Sequence, residues 1–422
     1  MISQKIHTIL TDDDVKTDAP EAGRFMRHLW ALMATKVADG LLDPKLVLAW
    51  IMSAIGAPGY LVGLLVPVRE AGALLPQILL AREIQARTIR KYFWGVGSLL
   101  QGLSALGISV AAYTLQGAQA GWVIIGCLAV LSVARASCSA SYKDILARTV
   151  SAGSRGTVSG AAGTIAAAAV FGFAALLAFG IVPLTVTALS AAVALAGGLW
   201  VFGALVFLGL DEPADTRDSN AMDTMSRMLA PLWTDGQLRL FILVRGLLTA
   251  TALAPPFLVI LSHVESDAGL GNLGLLMLAS SLAAITSSYV WGRISDTSSR
   301  KTLIYAGSLA ALALGGAAIV GLVTGGLGGI WIAPAFLFGA QIAYEGVRAG
   351  RKTHLTDMKT GGQKAVYTAL SNTAIGVLLL VGGVFGVIAN TFGPAIVLAL
   401  FAVMCLAAAL CALRLTDVQS DN

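Results

Sequence analysis

A small set of ionisable side chains stands inside otherwise apolar stretches of the 422-residue chain, and their spacing sorts them into groups. Lys36, Asp39 and Asp43 fall at i, i+3 and i+7, within one narrow stripe of a helix, while Lys45 projects from the opposite side beyond Pro44. Arg69 and Glu70 are adjacent, flanked by Pro67, Gly72 and Pro76. Arg135 has no acid within a turn, so it needs a partner from another helix or from a ligand. Gln341, Glu345 and Arg348 share one face at i, i+4 and i+7, a spacing that permits an internal Glu345–Arg348 pair. A charge in hydrocarbon costs on the order of a few kcal/mol unless it meets a partner or a wet cavity, which makes these residues the first functional candidates.

The chemistry open to them is solute binding and proton transfer. Burial raises the pKa of a carboxylate and a nearby guanidinium lowers it, so a carboxylate that moves between two such surroundings can load and release a proton. Asp39 or Glu70 fits that role. The static alternative pairs Arg69 with Asp39 or Asp43, and Lys36 with Asp39, as structural bridges. Arg135 suits anion binding or proton coupling better than a bridge, whereas for Glu345 and Arg348 the internal pair is the plainer reading. Arg245 lies within two turns of a predicted helix end, where snorkelling to headgroups explains it as well as ligand binding does. Enzyme motifs are missing. There is no phosphate-cradling Gly-x-x-x-x-Gly-Lys-Ser/Thr loop, and neither the dispersed histidines nor Cys127, Cys138, Cys405 and Cys411 show metal-ligand spacing, so no cofactor or metal is expected.

Membrane-spanning helices must position these residues. Hydrophobic residues make up 57% of the chain and charged residues 12%. The mean hydropathy is +0.80, far above a soluble balance. At roughly 20 residues per crossing, helices are predicted near 29–55, 59–81, 92–115, 121–147, 156–179, 182–209, 239–262, 269–291, 303–323, 328–350, 364–389 and 393–413. Every connector that holds Lys or Arg falls on one side: Arg82, Arg87, Arg90 and Lys91; Lys143, Arg148 and Arg155; Arg293, Arg300 and Lys301; Arg351, Lys352, Lys359 and Lys364. The other side carries only His263, Glu265 and Asp267, so both termini are expected in the cytoplasm. The net charge of +5 follows this orientation bias, which points to lipid headgroups and away from nucleic acid as the anionic neighbour. Asp12, Asp13 and Asp14 make the start a polar cytoplasmic tail rather than a signal peptide. Tyr60, Tyr113, Trp122, Tyr289, Trp291 and Trp331 fall near helix ends, as interfacial anchors do. Gly160 with Gly163, Gly315 with Gly316, and Gly382, Gly383 and Gly386 are read as points of close helix approach.

One long polar segment, 210–238, separates two halves. Within it Met222, Met225, Met228, Leu229, Leu232 and Trp233 recur at helical spacing, which suggests an amphipathic helix on the membrane surface or, equally, a plain linker. The halves repeat: Arg90-Lys91 and Arg300-Lys301 are 210 residues apart, each following the second helix of its half. Parallel duplication of this kind builds bundles that can tilt about a central site.

The run Gly292-Arg293-Ile294-Ser295-Asp296-Thr297-Ser298-Ser299-Arg300-Lys301 resembles the signature loop of the major facilitator superfamily, Gly-x-x-x-Asp-(Arg)-x-x-(Gly)-Arg-(Arg/Lys). The first-half copy, Arg82 to Lys91, keeps the basic end but has Ala86 where the acid belongs. Asp39-Gly40 is similar to the family's helix-one motif, and Arg135 stands at the place of its embedded arginine. The glycine-proline antiporter signature is absent from the fifth helix.

The resemblance implies an all-α membrane protein of twelve transmembrane helices in two six-helix bundles related by a pseudo-twofold axis. It also implies a loop, Gly292, Asp296, Arg300, Lys301, Arg90 and Lys91, that gates the cytoplasmic side. The expected divisions are a tail 1–28, bundles 29–209 and 239–413 joined by 210–238, and a tail 414–422. The expected activity is proton-coupled secondary transport of a small polar or anionic solute by a monomer in a bacterial inner membrane, with Asp39, Asp43, Arg69, Glu70, Arg135, Glu345 and Arg348 binding solute or proton. An uncoupled facilitator and a non-transporting membrane scaffold or assembly factor are the alternatives.

Overall fold

The computed structural model describes residues 19–77, 80, 83–84, 87–151, 154–214, 225–263, 273–358 and 364–419. Asp12 to Asp14, Arg82, Ala86, Met222, Glu265, Asp267 and Lys359 lie outside the described residues, as do the side chains of Met225 and Met228. The described secondary structure is helical. The first group comprises α1 (Ala19–Leu42), α2 (Val47–Ala54), α3 (Gly59–Leu74), α4 (Lys91–Thr114), α5 (Gly117–Thr149), α6 (Arg155–Ala178) and α7 (Val186–Leu208). A short α8 (Met225–Thr234) follows, and then α9 (Gly236–Leu247), α10 (Ala250–His263), α11 (Leu273–Thr297), α12 (Ser299–Thr324), α13 (Ile332–Asp357), α14 (Lys364–Val381), α15 (Val384–Phe392) and α16 (Pro394–Ala412). Among the described residues, nine spans are long and apolar enough to cross a membrane, two of them made of paired helices, and the chain is an integral membrane protein.

Three predicted rods are broken. The stretch 29–55 starts earlier, at Ala19, and divides into α1 and α2 at residues 43–46. Pro44 lacks an N–H and disfavours a helical residue before it, and the Asp43 carboxylate accepts the Lys45 N–H at 2.7 Å, closing the turn. The stretch 239–262 divides into α9 and α10, where the hydroxyls of Thr249 and Thr251 donate to the carbonyls of Gly246 and Leu248 at 2.6 and 2.8 Å. The stretch 364–389 divides at Gly382-Gly383. The linker does contain a helix, α8. The side chain of Asp235 then caps α9 by accepting the N–H groups of Gln237 and Leu238 at 2.8 and 3.1 Å.

Within the first group α4 packs on α5 and α7, α1 on α6 and α7, and α3 on α5. Within the second α12 packs on α13 and α16, α11 on α13, and α9 and α10 on α16. The two groups meet where α6 lies on α11 and where α3 lies on α10, α14 and α15. In lipid the drive for such contacts is close packing of small residues rather than apolar burial. A Cβ added to Gly386 would stand 2.7 Å from the Tyr60 carbonyl oxygen and 3.1 Å from the Gly63 Cα, so glycine lets these backbones touch. Gly160, by contrast, faces open space.

One capping arrangement occurs in both groups. The Glu212 carboxylate, just past α7, accepts the N–H groups of Arg90 and Lys91 at the start of α4 at 3.0 and 2.7 Å. Gln419, just past α16, accepts the N–H of Ser299 at the start of α12 at 2.9 Å. Each group thus caps the start of one of its helices with the chain that leaves its last helix.

Candidate functional site

Helices α1, α3 and α5 converge on one carboxylate. The Arg69 Nη2 donates to Asp39 Oδ1 at 2.7 Å, and the Arg135 Nη1 donates to the same oxygen. Arg69 is buried, whereas the Asp39 and Arg135 side chains are 28% and 39% exposed, so one guanidinium is locked and the other faces the opening. A cavity of about 290 Å³ begins at this triad. Its wall includes Asp39, Asp43, Glu70 and Glu345 against Lys45, Arg69, Arg135 and Arg348, so the ionised groups balance.

The breaks in the helices serve this wall. The turn after α1 places Asp43, Pro44, Lys45 and Leu46 on the cavity rather than in a continuous rod. The Lys45 ammonium lies 3.7 Å from the centre of the Tyr344 ring, joining α1's turn to α13 across the cavity. On α13 the Arg348 Nη1 donates to both oxygens of Glu345 at 3.1 Å, and the Gln341 amide donates to Glu345 Oε1 at 3.3 Å. Glu70 differs from the other acids: it lines the cavity with no hydrogen bond or ion pair among the described residues.

All seven predicted binding residues therefore line one cavity. Two expected bridges are present, Arg69–Asp39 and Glu345–Arg348, and Arg135 finds its partner on another helix. Lys36 instead donates to the Ser159 carbonyl of α6 at 3.2 Å. Tyr344 escaped the sequence reading, although its place beside Glu345 was a signal. Trp291 is not an interfacial anchor: it is buried, and its indole N–H donates to the Ile342 carbonyl at 2.8 Å. Arg245 does not snorkel. It is buried and donates to Ser371 Oγ and Asn372 Oδ1 on α14 at 2.6 and 2.9 Å.

A second chamber, of about 520 Å³, shares Glu345 and Arg348 with the first and extends toward the face of the basic connectors. Arg245, Trp291, Arg351, Lys352 and Asn372 contribute to its wall. At that face, Arg90 pairs with Asp144, and Arg300 lies 3.8 Å from Asp417. Lys91 donates to the Leu210 carbonyl at 2.7 Å, and the Lys301 N–H to Ser298 Oγ at 3.2 Å. Gly292 has open space around it, and Asp296 is exposed with no hydrogen bond or ion pair among the described residues. Of the residues expected to gate this side, Arg90, Lys91, Arg300 and Lys301 are thus engaged within their own helix group, and Asp296 is not.

No family model matches the chain, and no curated relative aligns with it. Solved structures do. A mutant of the nucleoside transporter NupG superposes with a TM-score of 0.73 at 13% identity, covering 93% of this chain and 99% of that one. An auto-inhibited POT family peptide transporter gives 0.69 at 12% identity over 92% and 96%, and a D-xylose-proton symporter 0.68 at 10% over 94% and 98%. Identities this low speak for the fold alone, and the chain shares the fold of these three transporters.

Proposed function

We propose that the protein is a secondary transporter that carries a small polar or anionic organic solute across a bacterial inner membrane by alternating access, with proton coupling. The observation that carries this reading is the charge-balanced cavity enclosed between the two helix groups, with Asp39 shared by Arg69 and Arg135 and Glu70 left without a fixed partner. In this reading twelve spans form two six-helix bundles, 29–209 and 239–413, with both termini in the cytoplasm. Three of those spans, 29–55, 59–81 and 328–350, are not among the nine that are long and apolar enough in the described residues. They are the ones that bring Asp39 and Asp43, Arg69 and Glu70, and Glu345 and Arg348 to the cavity, as helices bordering a wet passage should.

Solute would bind among the balanced charges, and a proton would load on Glu70 or Asp39 in one orientation and leave in the other. Purified protein in sealed vesicles, offered labelled nucleosides, dipeptides, pentoses and organic acids with and without a pH step, tests this. Accumulation should require the pH step, and Asp39→Asn and Glu70→Gln should abolish it while exchange down a gradient continues in Glu70→Gln. A rate and end point indifferent to the pH step would replace coupling with facilitated diffusion. Movement of no solute would favour the scaffold.

A further inference from the structure

The second chamber carries an imbalance that the central cavity lacks. Its wall holds Arg245, Arg348, Arg351 and Lys352 but one carboxylate, Glu345, which already accepts Arg348 through both oxygens. Among the described residues no carboxylate lies within ion-pair distance of Arg245, Arg351 or Lys352. Arg245 is the telling member. It is 7% exposed, its two terminal nitrogens donate to the neutral oxygens of Ser371 and Asn372, and its Nε has no partner. Hydroxyl and amide oxygens satisfy the donors of a guanidinium but do not neutralise it, and a charge taken out of water is costly until an opposite charge replaces its hydration.

We propose that this chamber is a binding site for an oxyanion, a carboxylate- or phosphate-bearing ligand, with Arg245 at its base and Arg351 and Lys352 at its mouth. A guanidinium fork matches two-oxygen acceptors, and the half-exposed Arg351 and exposed Lys352 add long-range attraction at the opening. The volume of about 520 Å³ leaves room for an organic body behind the anionic group. Arg348 borders both chambers, so an anion leaving this site for the central cavity meets a cation at the passage. Asn372, which holds Arg245, also donates to Gln77 beyond α3 at 3.5 Å, so the site touches a hydrogen-bond chain between the two helix groups. The inference rests on the transporter reading only for the claim that the ligand is a solute in transit; the site itself stands on the unpaired cations.

Calorimetric titration of the full-length protein in nonionic detergent with inorganic phosphate and with succinate tests the site. One of the two should bind, and Arg245→Gln should weaken it at least tenfold, about 1.4 kcal/mol. The Arg351→Gln/Lys352→Gln double variant, altered at the accessible mouth, should weaken it several-fold and keeps the test decisive if Arg245→Gln misfolds. Arg239→Gln, on the exposed side of α9, should bind as the wild type does. Repeating the titration in nanodiscs of phosphatidylcholine, with and without phosphatidylglycerol, separates the sources. Unchanged affinity assigns the site to a free solute, and competition by phosphatidylglycerol assigns the same oxyanion chemistry to a lipid headgroup. Binding of neither anion, or wild-type affinity in both Arg245→Gln and the double variant, overturns the proposal. Anion binding without solute movement in vesicles would remove the transporter reading and keep the site, and transport without anion binding would do the reverse.

Discussion

Asp39→Asn keeps the shape of the side chain and removes its charge, which isolates what the carboxylate does for the two arginines that share it. Breaking a buried ion pair by neutralising one partner costs about 3–5 kcal/mol, because the other charge stays buried. A solvent-exposed pair is worth about 0–1 kcal/mol. The Arg69 side chain is 8% exposed and belongs to the first class, and the Arg135 side chain at 39% belongs near the second. Asp39 itself is 28% exposed, which puts the expected loss at the lower end, about 3 kcal/mol, nearly all of it through Arg69. Arg135→Gln should therefore cost about 1 kcal/mol or less. The double variant Asp39→Asn/Arg69→Met should be more stable than Asp39→Asn alone, since it removes the stranded charge. Equilibrium unfolding of the wild type, Asp39→Asn, Arg135→Gln, Arg69→Met and the double variant in one detergent measures the order. Equal losses from Asp39→Asn and Arg135→Gln, or a double variant that merely sums the single effects, would refute the assignment of the energy to the Arg69 pair.

The glycine contacts and the helix cap give two further expectations. Gly63→Ala and Gly386→Ala force touching backbones apart and should each lose about 1–3 kcal/mol, whereas Gly160→Ala, in open space, should gain about 0.5–1 kcal/mol from helix propensity; a Gly63→Ala protein as stable as the wild type would deny the close approach. Glu212→Ala should cost about 1–2 kcal/mol and speed amide exchange at Arg90 and Lys91, with Glu212→Gln between it and the wild type. Unchanged exchange at both amides would show that water caps α4 equally well.

Spacing along the chain reveals neighbours on one helix and little about who faces whom across a cavity. Glu345 and Arg348 were legible because three residues bring them onto one face, and the structure pairs them. Asp39 and Arg135 are 96 residues apart, so the sequence could say that Arg135 needed an acid but not which one. Pro44 announced a bend, and the Asp43 side chain turned it into a break. Lys36 shares a stripe with Asp39, yet α6 packs against that stripe and offers the Ser159 carbonyl first. Trp291 was misread, and snorkelling was held open for Arg245, for one reason: nearness to a helix end suggests a headgroup, but their helices abut α13 and α14, which bury them. The basic pairs suggested a duplication, whereas the matching caps by Glu212 and Gln419 depend on where the chain goes after each last helix.

The contacts also differ in whether a rocking motion could undo them. Glu345–Arg348 sits within one helix and travels with it unchanged, and the Asp39 triad joins helices of one group, so both should survive a tilt of one group on the other. Among the described residues the polar links between the groups are few: Lys45 against the Tyr344 ring, worth about 0.5–1 kcal/mol at exposed sites, and the 3.5 Å contact of Asn372 with Gln77. The backbone contact of Gly386 with Tyr60 and Gly63 lies toward the start of α3, on the side away from the second chamber, and it is close-packed rather than polar. Opening that side means separating packed backbones, whereas opening toward the basic connectors means parting Asn372 from Gln77 and Gly376 from the side chains of Leu74 and Leu75. Under the proposed alternating access the apo protein should therefore rest with the connector face open, and the disengaged Asp296 fits that state. Cysteine labelling of Leu355→Cys, at the chamber wall, should outpace labelling of Leu64→Cys, which faces Gly383 on the opposite seam, and the reverse order would place the resting state on the other side of the cycle.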